Sequence, residues 1–471
     1  MIKNRVLENR IELVFKLLYF VFVLLSFNSF CARQFYISYI SYVVVAFGAF
    51  ILVNRLTHMK DYLNSKIWLL VAFILSYLLG AINTLRYGIM ENIQAVAWMS
   101  IQFFAVFAYD IRKDKDFANK EFKVITAFFI AYTMLMAIIG LTLMIAKYEY
   151  YTVIDGMYVI AAGFLFNRLW GCYIDPNYGA IFSLVSILLS MYYFKSSNKK
   201  IKLILILNIL VEYLYICYSD SRTGRLAIIL SIAALVYLLL IKRDKFEIGD
   251  KSIELIGAKK VVVVAFVALL CAGVVWSGTK VVKLTTSEIK VAIAKSTAIE
   301  QGATEEQAEV IADYDRIGRY DEEINGGDVS NNRFEIWKSG IDIFKANPIT
   351  GISFRNIMEY ARTEMPTGFI ATSGFESMHN FLVDILVSQG IIGIAILLVF
   401  VVLILKPTLL AAPKLGLADY NQFVFMFASL VAIFVSMLTY SEAFYMNTGG
   451  AFLFWYFLGY ISNYMLVNKE N

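Results

Sequence analysis

The chain has 471 residues, of which 59% are hydrophobic and 17% are charged, and its formal net charge is +5. Soluble domains are about 45–50% apolar and about 25% charged, so this composition excludes an ordinary soluble enzyme. The positive charge is small and spread along the chain, which argues against a nucleic-acid partner. The four cysteines lack the spacing of metal ligands.

Apolar runs long enough to cross a bilayer recur along the chain and predict an all-α polytopic membrane protein with about twelve transmembrane helices. The runs are continuous and lack the period-two alternation of a membrane β-barrel. The first run has no small-residue cleavage site, so we expect it to be retained. The predicted spans are residues 11–30, 36–53, 67–84, 93–109, 124–146, 177–194, 203–219, 223–241, 261–277, 380–405, 421–439 and 450–467.

Lysine and arginine residues are concentrated in every second connection between the predicted spans. If the N-terminus is inside, the inner connections and the C-terminal tail hold 24 of the 42 Lys and Arg residues, and the short outer connections hold few. This is the positive-inside pattern, and it predicts that both termini are in the cytoplasm of a multi-pass plasma or inner membrane protein.

The predicted organisation has three parts: transmembrane helices one to nine in residues 1–277, a large extracytoplasmic loop in 278–377, and helices ten to twelve in 378–471. The loop holds eleven basic and sixteen acidic residues. Ordered loops of this length are usually functional, so we expect the active site there or at its edges.

The large loop is predicted to be helical in its first half. A second helix is expected to start at Asn331-Asn332 and to end at Pro348. An apolar face on this second helix is predicted either to lie on the outer leaflet or to pack against the protein; it comprises Phe334, Trp337, Ile341 and Phe344.

Two histidines are present, and only His379 lies on the predicted outer side, where the large loop re-enters the membrane. His58 lies in an inner connection among basic residues and is expected to be solvated. An imidazole at the membrane surface is well placed for proton transfer, and the alternative is a structural role at the interface.

Arg222 and Arg225 lie three residues apart at the outer start of the eighth predicted span. Two arginines on one helical face at the edge of the hydrocarbon indicate an anion site, such as one for phosphate. The alternative is that Asp220 neutralises one of them.

Four segments together resemble the O-antigen ligase/polymerase family of bacterial membrane glycosyltransferases, in family order and over roughly residues 165–405. They are Gly171–Asn177, Ser221–Gly224, Asn332–Trp337 leading to Asn347–Gly351, and His379–Leu382 followed by Gly390–Gly393. The family often has an acidic residue where this chain has Ser388, and it is usually apolar where this chain has Arg225.

The resemblance implies a GT-C-like membrane fold and inverting glycosyl transfer, without metal or cofactor, from an oligosaccharide on a polyprenyl pyrophosphate such as undecaprenyl. His379 would accept the proton of the acceptor hydroxyl, and Arg222 and Arg333 would stabilise the pyrophosphate. Further substrate contacts are expected from Arg225, Asn380, Asp175, Asn177 and Trp337.

One Asp-x-Asp pair, Asp313 and Asp315, lies in an acidic stretch of the predicted outer loop without a neighbouring His or Cys. It is interpreted as solvated surface and not as a metal site. No phosphate-binding glycine-rich loop is present in the sequence, so a nucleotide sugar is not the expected donor.

Three functions remain open. A polymerase would join lipid-linked repeat units into a surface polysaccharide, a ligase would transfer the glycan to lipid A core or another acceptor, and a flippase would move the same lipid. The predicted spans are nearly free of charge, with Glu212 and Asp384 as the main exceptions, which favours an enzyme over a transporter. Lys-, Ile- and Asn-rich usage hints at a Gram-positive source without lipopolysaccharide, which favours the polymerase. Its expected partners are the glycan donor and acceptor, membrane lipids, a chain-length regulator and a flippase.

Overall fold

The computed structural model describes residues 4–110, 112–154, 158–243, 245–248, 251–318 and 330–465 and is predominantly helical. This confirms the predicted fold class. The principal helices are α1 Arg5–Ser26, α2 Phe35–Leu56, α3 Ile67–Asn83, α4 Met90–Ile101, α5 Lys115–Ile145, α6 Pro176–Phe194, α7 Lys199–Ser219, α8 Arg222–Ile241, α9 Gly257–Glu300, α10 Glu305–Asp313, α11 Arg333–Ala346, α12 Ile357–Glu364, α13 Phe369–Ser373, α14 Phe381–Ala411, α15 Leu417–Met437 and α16 Gly449–Gly459.

Eight of the described helices are long and apolar enough to cross a membrane: α2, α5, α6, α7, α8, α9, α14 and α15. The other four predicted spans are also helical, although they are shorter, more charged or interrupted. Helices α3, α4 and α16 have 17, 12 and 11 residues, and α1 carries the buried charges of Glu8, Glu12 and Lys16. Both α4 and α16 continue into π-helical turns, at Gln102–Phe107 and Tyr460–Tyr464.

The chain folds into two compact units, each built from more than one segment of the sequence. The first unit comprises Met1–Ile125, Ser330–Phe423 and Met437–Asn471, and the second comprises Thr126–Val329 and Val424–Ser436. The predicted large loop therefore belongs half to each unit. The predicted boundaries at residues 277 and 377 separate membrane helices from an extracytoplasmic loop. They describe location relative to the membrane and not compact units, so they stay a prediction.

In the first unit, the segment after α11 lies against the backbone of α14. The amides of Ile352 and Ser353 donate to the carbonyls of Val387 and Ser388 at 3.1 and 2.9 Å. Gly351 and Gly390 both have positive φ, 64° and 61°, and a side chain at either would collide with the facing backbone. These two motif glycines are therefore needed for the close approach of two backbones.

The second unit is built around two helix pairs, α6 with α7 and α8 with α9. Gly224 permits close packing of α8, because an added Cβ would lie 2.8 Å from the Cβ of Ala180 on α6. The connection before α6 forms an antiparallel sheet in the order β1-β2-β3, which the sequence did not predict. A separate hairpin pairs β4 with β5, and the strands are β1 Glu149–Ile154, β2 Tyr158–Leu165, β3 Arg168–Gly171, β4 Lys245–Ile248 and β5 Lys251–Glu254.

Within each unit, connections predicted to share a side of the membrane contact one another. Arg112 pairs with Asp61 at 2.8 Å, which joins two predicted inner connections. The Thr84 hydroxyl donates to the Ile352 carbonyl at 2.9 Å, which joins the α3–α4 connection to the large loop. In the second unit, the Gly318 amide donates to the Asn167 carbonyl at 2.9 Å. These contacts agree with the predicted alternation, while the side that faces the cytoplasm stays a prediction.

The predicted second helix of the large loop is α11, which begins after Asn332 and ends before Pro348, as expected. Its buried residues are Ile336, Gly340 and Ile343, not the predicted apolar face. Phe334 remains 64% exposed. The helix therefore packs through a neighbouring stripe, and the membrane-surface alternative for the predicted face stays a prediction.

Candidate active site

In the first unit, His379 and Arg333 lie against the same tyrosine ring. The Arg333 guanidinium carbon is 6.0 Å from the ring centroid of Tyr440, and the His379 imidazole meets that ring edge-on at 6.1 Å. Arg333 also donates a long hydrogen bond, 3.4 Å, to the carbonyl of Thr439. Arg333 and His379 are each partly exposed. An imidazole and a guanidinium are thus brought to one surface around Tyr440, while their roles as base and phosphate contact stay predictions.

The backbone around His379 is held in place by buried hydrogen bonds. The fully buried Asp384 accepts from the amide of Met378 at 2.8 Å, and the Trp337 indole donates to the Met378 carbonyl at 3.0 Å. His379 itself has a φ of 49°, in the left-handed region that is costly for a residue with a side chain. The hydrogen bonds to Met378 hold the neighbouring backbone in place and help to maintain this conformation.

Asn380 serves as the N-cap of α14. Its side-chain oxygen accepts from the amides of Leu382 and Val383 at 2.9 and 3.4 Å, and its side-chain nitrogen donates to the Leu438 carbonyl at 3.2 Å. Both ends of the amide are thus engaged by the protein. Asn380 ties the start of α14 to the Leu438–Tyr440 segment, and its predicted contact with a sugar stays a prediction.

In the second unit, the N-termini of α6 and α8 are linked directly. Asp175 caps α6 by accepting from the Asn177 amide at 2.6 Å. The Ser221 hydroxyl accepts from the Gly224 amide at 2.8 Å, which caps α8, and donates to the Asn177 side chain at 2.6 Å. Two helix N-termini, each with a partial positive charge, therefore lie together beside Arg222, the first residue of α8.

Further cations surround this pair of helix ends. Asp220, between α7 and α8, lies 3.0 Å from the Lys283 ammonium and 3.5 Å from the Arg225 guanidinium. Burial works to raise the pKa of Asp220, but the charges of Lys283 and Arg225 outweigh it and lower the pKa below its usual range. Arg225 therefore has the predicted alternative partner, Asp220, which makes it less available to a substrate.

Arg168, at the start of β3, is a buried cation next to the same segment. Its Nε donates to the Ser219 carbonyl at 2.9 Å, and its Nη2 has no hydrogen-bond partner among the described residues. Sequence reasoning assigned no site role to Arg168, Lys283 or Tyr440. They lie outside the motif segments, and only the fold brings them to motif residues.

The arrangement places each predicted residue in one of two groups. The group of the first unit comprises Arg333, Trp337, His379 and Asn380, and the group of the second comprises Asp175, Asn177, Arg222 and Arg225. The first can accept a proton beside a fixed cation. The second, with two helix N-termini and several cations, suits an anion such as a phosphate.

The acidic pair of the large loop is engaged by cations. Asp313 pairs with Arg316 at 2.8 Å, and Asp315 pairs with Lys147 at 2.5 Å. Within the described residues, no group of three or more His, Cys, Asp or Glu side chains could hold a metal ion. Metal independence stays a prediction.

Comparison with known proteins agrees with the motif-based resemblance. Residues 203–398 match a family model described as O-antigen ligase. The matched segment contains Arg222, Arg333 and His379 and lies within the stretch predicted from the four motifs. No curated protein matches the chain. The match confirms the predicted resemblance to this family over the matched segment, and it supports a membrane glycan-transfer function.

Proposed function

We propose that this chain, which carries an O-antigen ligase family domain, polymerises oligosaccharide repeat units carried on polyprenyl pyrophosphate into a surface polysaccharide. The observation that carries the proposal is the placement of His379 and Arg333 on one partly exposed surface around Tyr440, inside the matched domain. The reaction would take place on the extracytoplasmic face of the plasma or inner membrane, with both termini in the cytoplasm.

The proposed reaction is a single inverting displacement. An acceptor hydroxyl attacks the anomeric carbon of the donor sugar, a new carbon–oxygen bond forms, and the bond to the pyrophosphate oxygen breaks. The His379 imidazole takes the hydroxyl proton, and the polyprenyl pyrophosphate leaves with the bonding electrons. A base of this kind typically contributes about a hundred- to ten-thousand-fold in rate.

The leaving pyrophosphate gains negative charge as its bond breaks. Fixed guanidinium groups stabilise such charge without a metal, because their planar fork matches phosphate oxygens. Arg333 beside His379 and Arg222 at the N-terminus of α8 are the proposed groups, and Arg225 is ranked below them because of its contact with Asp220. We infer that the reaction needs no divalent ion.

The second candidate is a ligase that transfers the finished glycan to lipid A core, a protein or another polymer. The match to a family model described as O-antigen ligase favours it. The two activities share the donor and the chemistry and differ in the acceptor. A polymerase would be expected to work with a flippase and a chain-length regulator.

Transfer by purified protein tests the proposal. A lipid-linked repeat unit supplied as both donor and acceptor should give a ladder of longer glycans, in the presence or absence of EDTA. His379→Gln should lower the rate at least about a hundredfold, whereas His58→Gln, the matched control at the other histidine, should retain it. Transfer by His379→Gln within a few-fold of wild type would exclude the imidazole as the base. A single addition to a different acceptor, without a ladder, would favour the ligase.

A further inference from the structure

A cavity of about 650 Å³ lies in the first unit between the α3–α4 connection and the segment that leads into α12. Both walls belong to connections predicted to be on the outer side. The residues that define its chemistry are Arg86, Tyr87, Glu91, Arg355, Glu359 and Glu376. Ligand sites are typically clefts of about 300–1,000 Å³, so this cavity is large enough for a substantial ligand.

The floor of the cavity is fixed by buried amides. The Asn356 side chain donates to the carbonyl and the hydroxyl of Thr84 at 3.0 and 2.8 Å, and it accepts from Asn92 at 2.9 Å. Asn92 in turn accepts from the Tyr77 hydroxyl at 2.7 Å. Asn92 is completely buried and Asn356 nearly so. The cavity is therefore a preformed feature of the fold, and a ligand would not have to pay for its ordering.

The walls offer charged donors, charged acceptors and aromatic surface together. Arg355 is partly exposed, and its buried Nε has no hydrogen-bond partner among the described residues. At the rim, Arg86 pairs with Glu364 at 2.8 Å, and the hydroxyl of Tyr87 also donates to Glu364. Glu91, Glu359 and Glu376 are exposed acceptors.

This combination selects a class of ligand. The charged walls disfavour an acyl chain, and the three carboxylates on the walls, Glu91, Glu359 and Glu376, disfavour a polyphosphate. A ring rich in hydroxyl groups can donate to the carboxylates, accept from the arginine and lay its apolar face on an aromatic side chain. Sugars meet all three requirements.

One wall of the cavity is close in sequence to the proposed base, His379. Glu376 lies three residues before His379. The opposite wall follows the Gly351–Ser353 segment, which is hydrogen-bonded to Val387 and Ser388, about two turns after the start of α14 at Phe381. Three residues span at most about 11 Å, so a sugar bound at Glu376 can lie next to one whose hydroxyl reaches His379.

We propose that this cavity binds the sugars of the glycan acceptor that flank the reacting hydroxyl. The inference rests on the proposed function, since it assigns the acceptor to a site next to the base. Loss of a charged contact should therefore raise the acceptor KM and leave the rate at saturating acceptor nearly unchanged.

Kinetics with variants at the cavity test this assignment. Arg355→Ala and Glu359→Gln should each raise the acceptor KM about tenfold or more, with kcat within about threefold of wild type. Arg362→Ala is the matched control, because Arg362 is exposed on α12 and does not line the cavity. Unchanged acceptor KM in both cavity variants, or an effect confined to kcat, would overturn the proposal. Thermal unfolding in detergent identifies any variant that fails to fold.

Binding without turnover separates this proposal from the proposed reaction. The probe is a set of short oligosaccharides released by partial acid hydrolysis from the surface polysaccharide of the source cell, free of lipid and pyrophosphate. Calorimetry should show binding to wild type, to His379→Gln and to Arg362→Ala, and binding weakened at least about tenfold in Arg355→Ala. Such a result supports the cavity even if the transfer assay fails. No binding to wild type, or equal binding to Arg355→Ala, would refute it.

Discussion

At the scale of single residues, the chemistry of the candidate site depends on arginine geometry. Arg333 is held beside Tyr440 and the Thr439 carbonyl, and Arg222 opens α8 next to a second helix N-terminus. A guanidinium binds two phosphate oxygens through a rigid fork, which the compact ammonium of lysine does not reproduce. The identity of the cation should therefore matter as much as its charge.

We expect Arg222→Lys and Arg333→Lys, as well as both alanine variants, to lower kcat about a hundred- to a thousandfold, the typical effect of removing one group that stabilises a leaving or developing anion. Arg225→Ala should have a smaller effect. The control is Arg316→Ala, because Arg316 is exposed and pairs with Asp313 at 2.8 Å. The assay is transfer from the lipid-linked donor by purified protein. Wild-type rates in both alanine variants would remove these arginines from the mechanism.

The residues of the site were predictable only where the sequence gives a local pattern. His379, Arg222 and Arg333 stand in motifs, and the motif glycines Gly351 and Gly390 proved to be sites of close backbone approach. Tyr440 was not predictable, because its contacts are to residues more than sixty positions away in the chain. Such contacts are set by tertiary packing, which no local spacing encodes.

At the scale of elements, the helices were predictable and their extents and faces were less so. Residues 261–277 were predicted as one span and the start of the large loop as another helix, but both belong to the 44-residue α9. Residues 279–300 contain neither Gly nor Pro, so nothing in the chain stops the helix there. On α11, the apolar periodicity predicted which face would pack. The helix instead packs against α14 through a neighbouring face, which only the tertiary structure determines.

Helix α1 is joined to its neighbours by a buried network of charges. Lys16 pairs with Glu121 at 2.6 Å, Arg55 pairs with Glu12 at 2.8 Å, and Lys113 bridges the two glutamates at 3.2 and 2.9 Å. All five side chains are nearly or completely inaccessible to solvent. Removing one partner of a buried pair leaves an uncompensated charge in a medium that does not solvate it.

Glu121→Ala should therefore destabilise the protein by about 3–5 kcal/mol, because Lys16 and Lys113 would lose their shared carboxylate. We expect a lower melting temperature in detergent and less folded protein in membranes. Lys120→Ala changes the exposed neighbour on the same helix and should leave both unaltered. A melting temperature equal to that of wild type in Glu121→Ala would show that the network does not stabilise the fold.

At the scale of the whole molecule, the topology of the chain in the membrane determines on which side glycan transfer occurs. The alternation of Lys and Arg predicts that the connections after α2, α6 and α8 are cytoplasmic and that residues 278–377 are outside. The contacts of Arg112 with Asp61, and of Thr84 with Ile352, agree with the pairing of connections that this topology requires. These contacts indicate which connections lie on the same side of the membrane. Cysteine labelling tests which of the two sides is cytoplasmic.

Single cysteines at Ser330 in the large loop and at Asn468 in the C-terminal tail, the latter outside the described residues, test the direction. The background would have alanine in place of the four native cysteines, Cys31, Cys172, Cys217 and Cys271, and would first be checked for retained transfer. A membrane-impermeant maleimide should label position 330 in intact cells and position 468 only after permeabilisation, because a charged reagent does not cross the bilayer. Labelling of position 468 in intact cells, with position 330 protected, would invert the topology. It would also place His379 on the cytoplasmic side, where the proposed transfer to a surface polysaccharide could not occur.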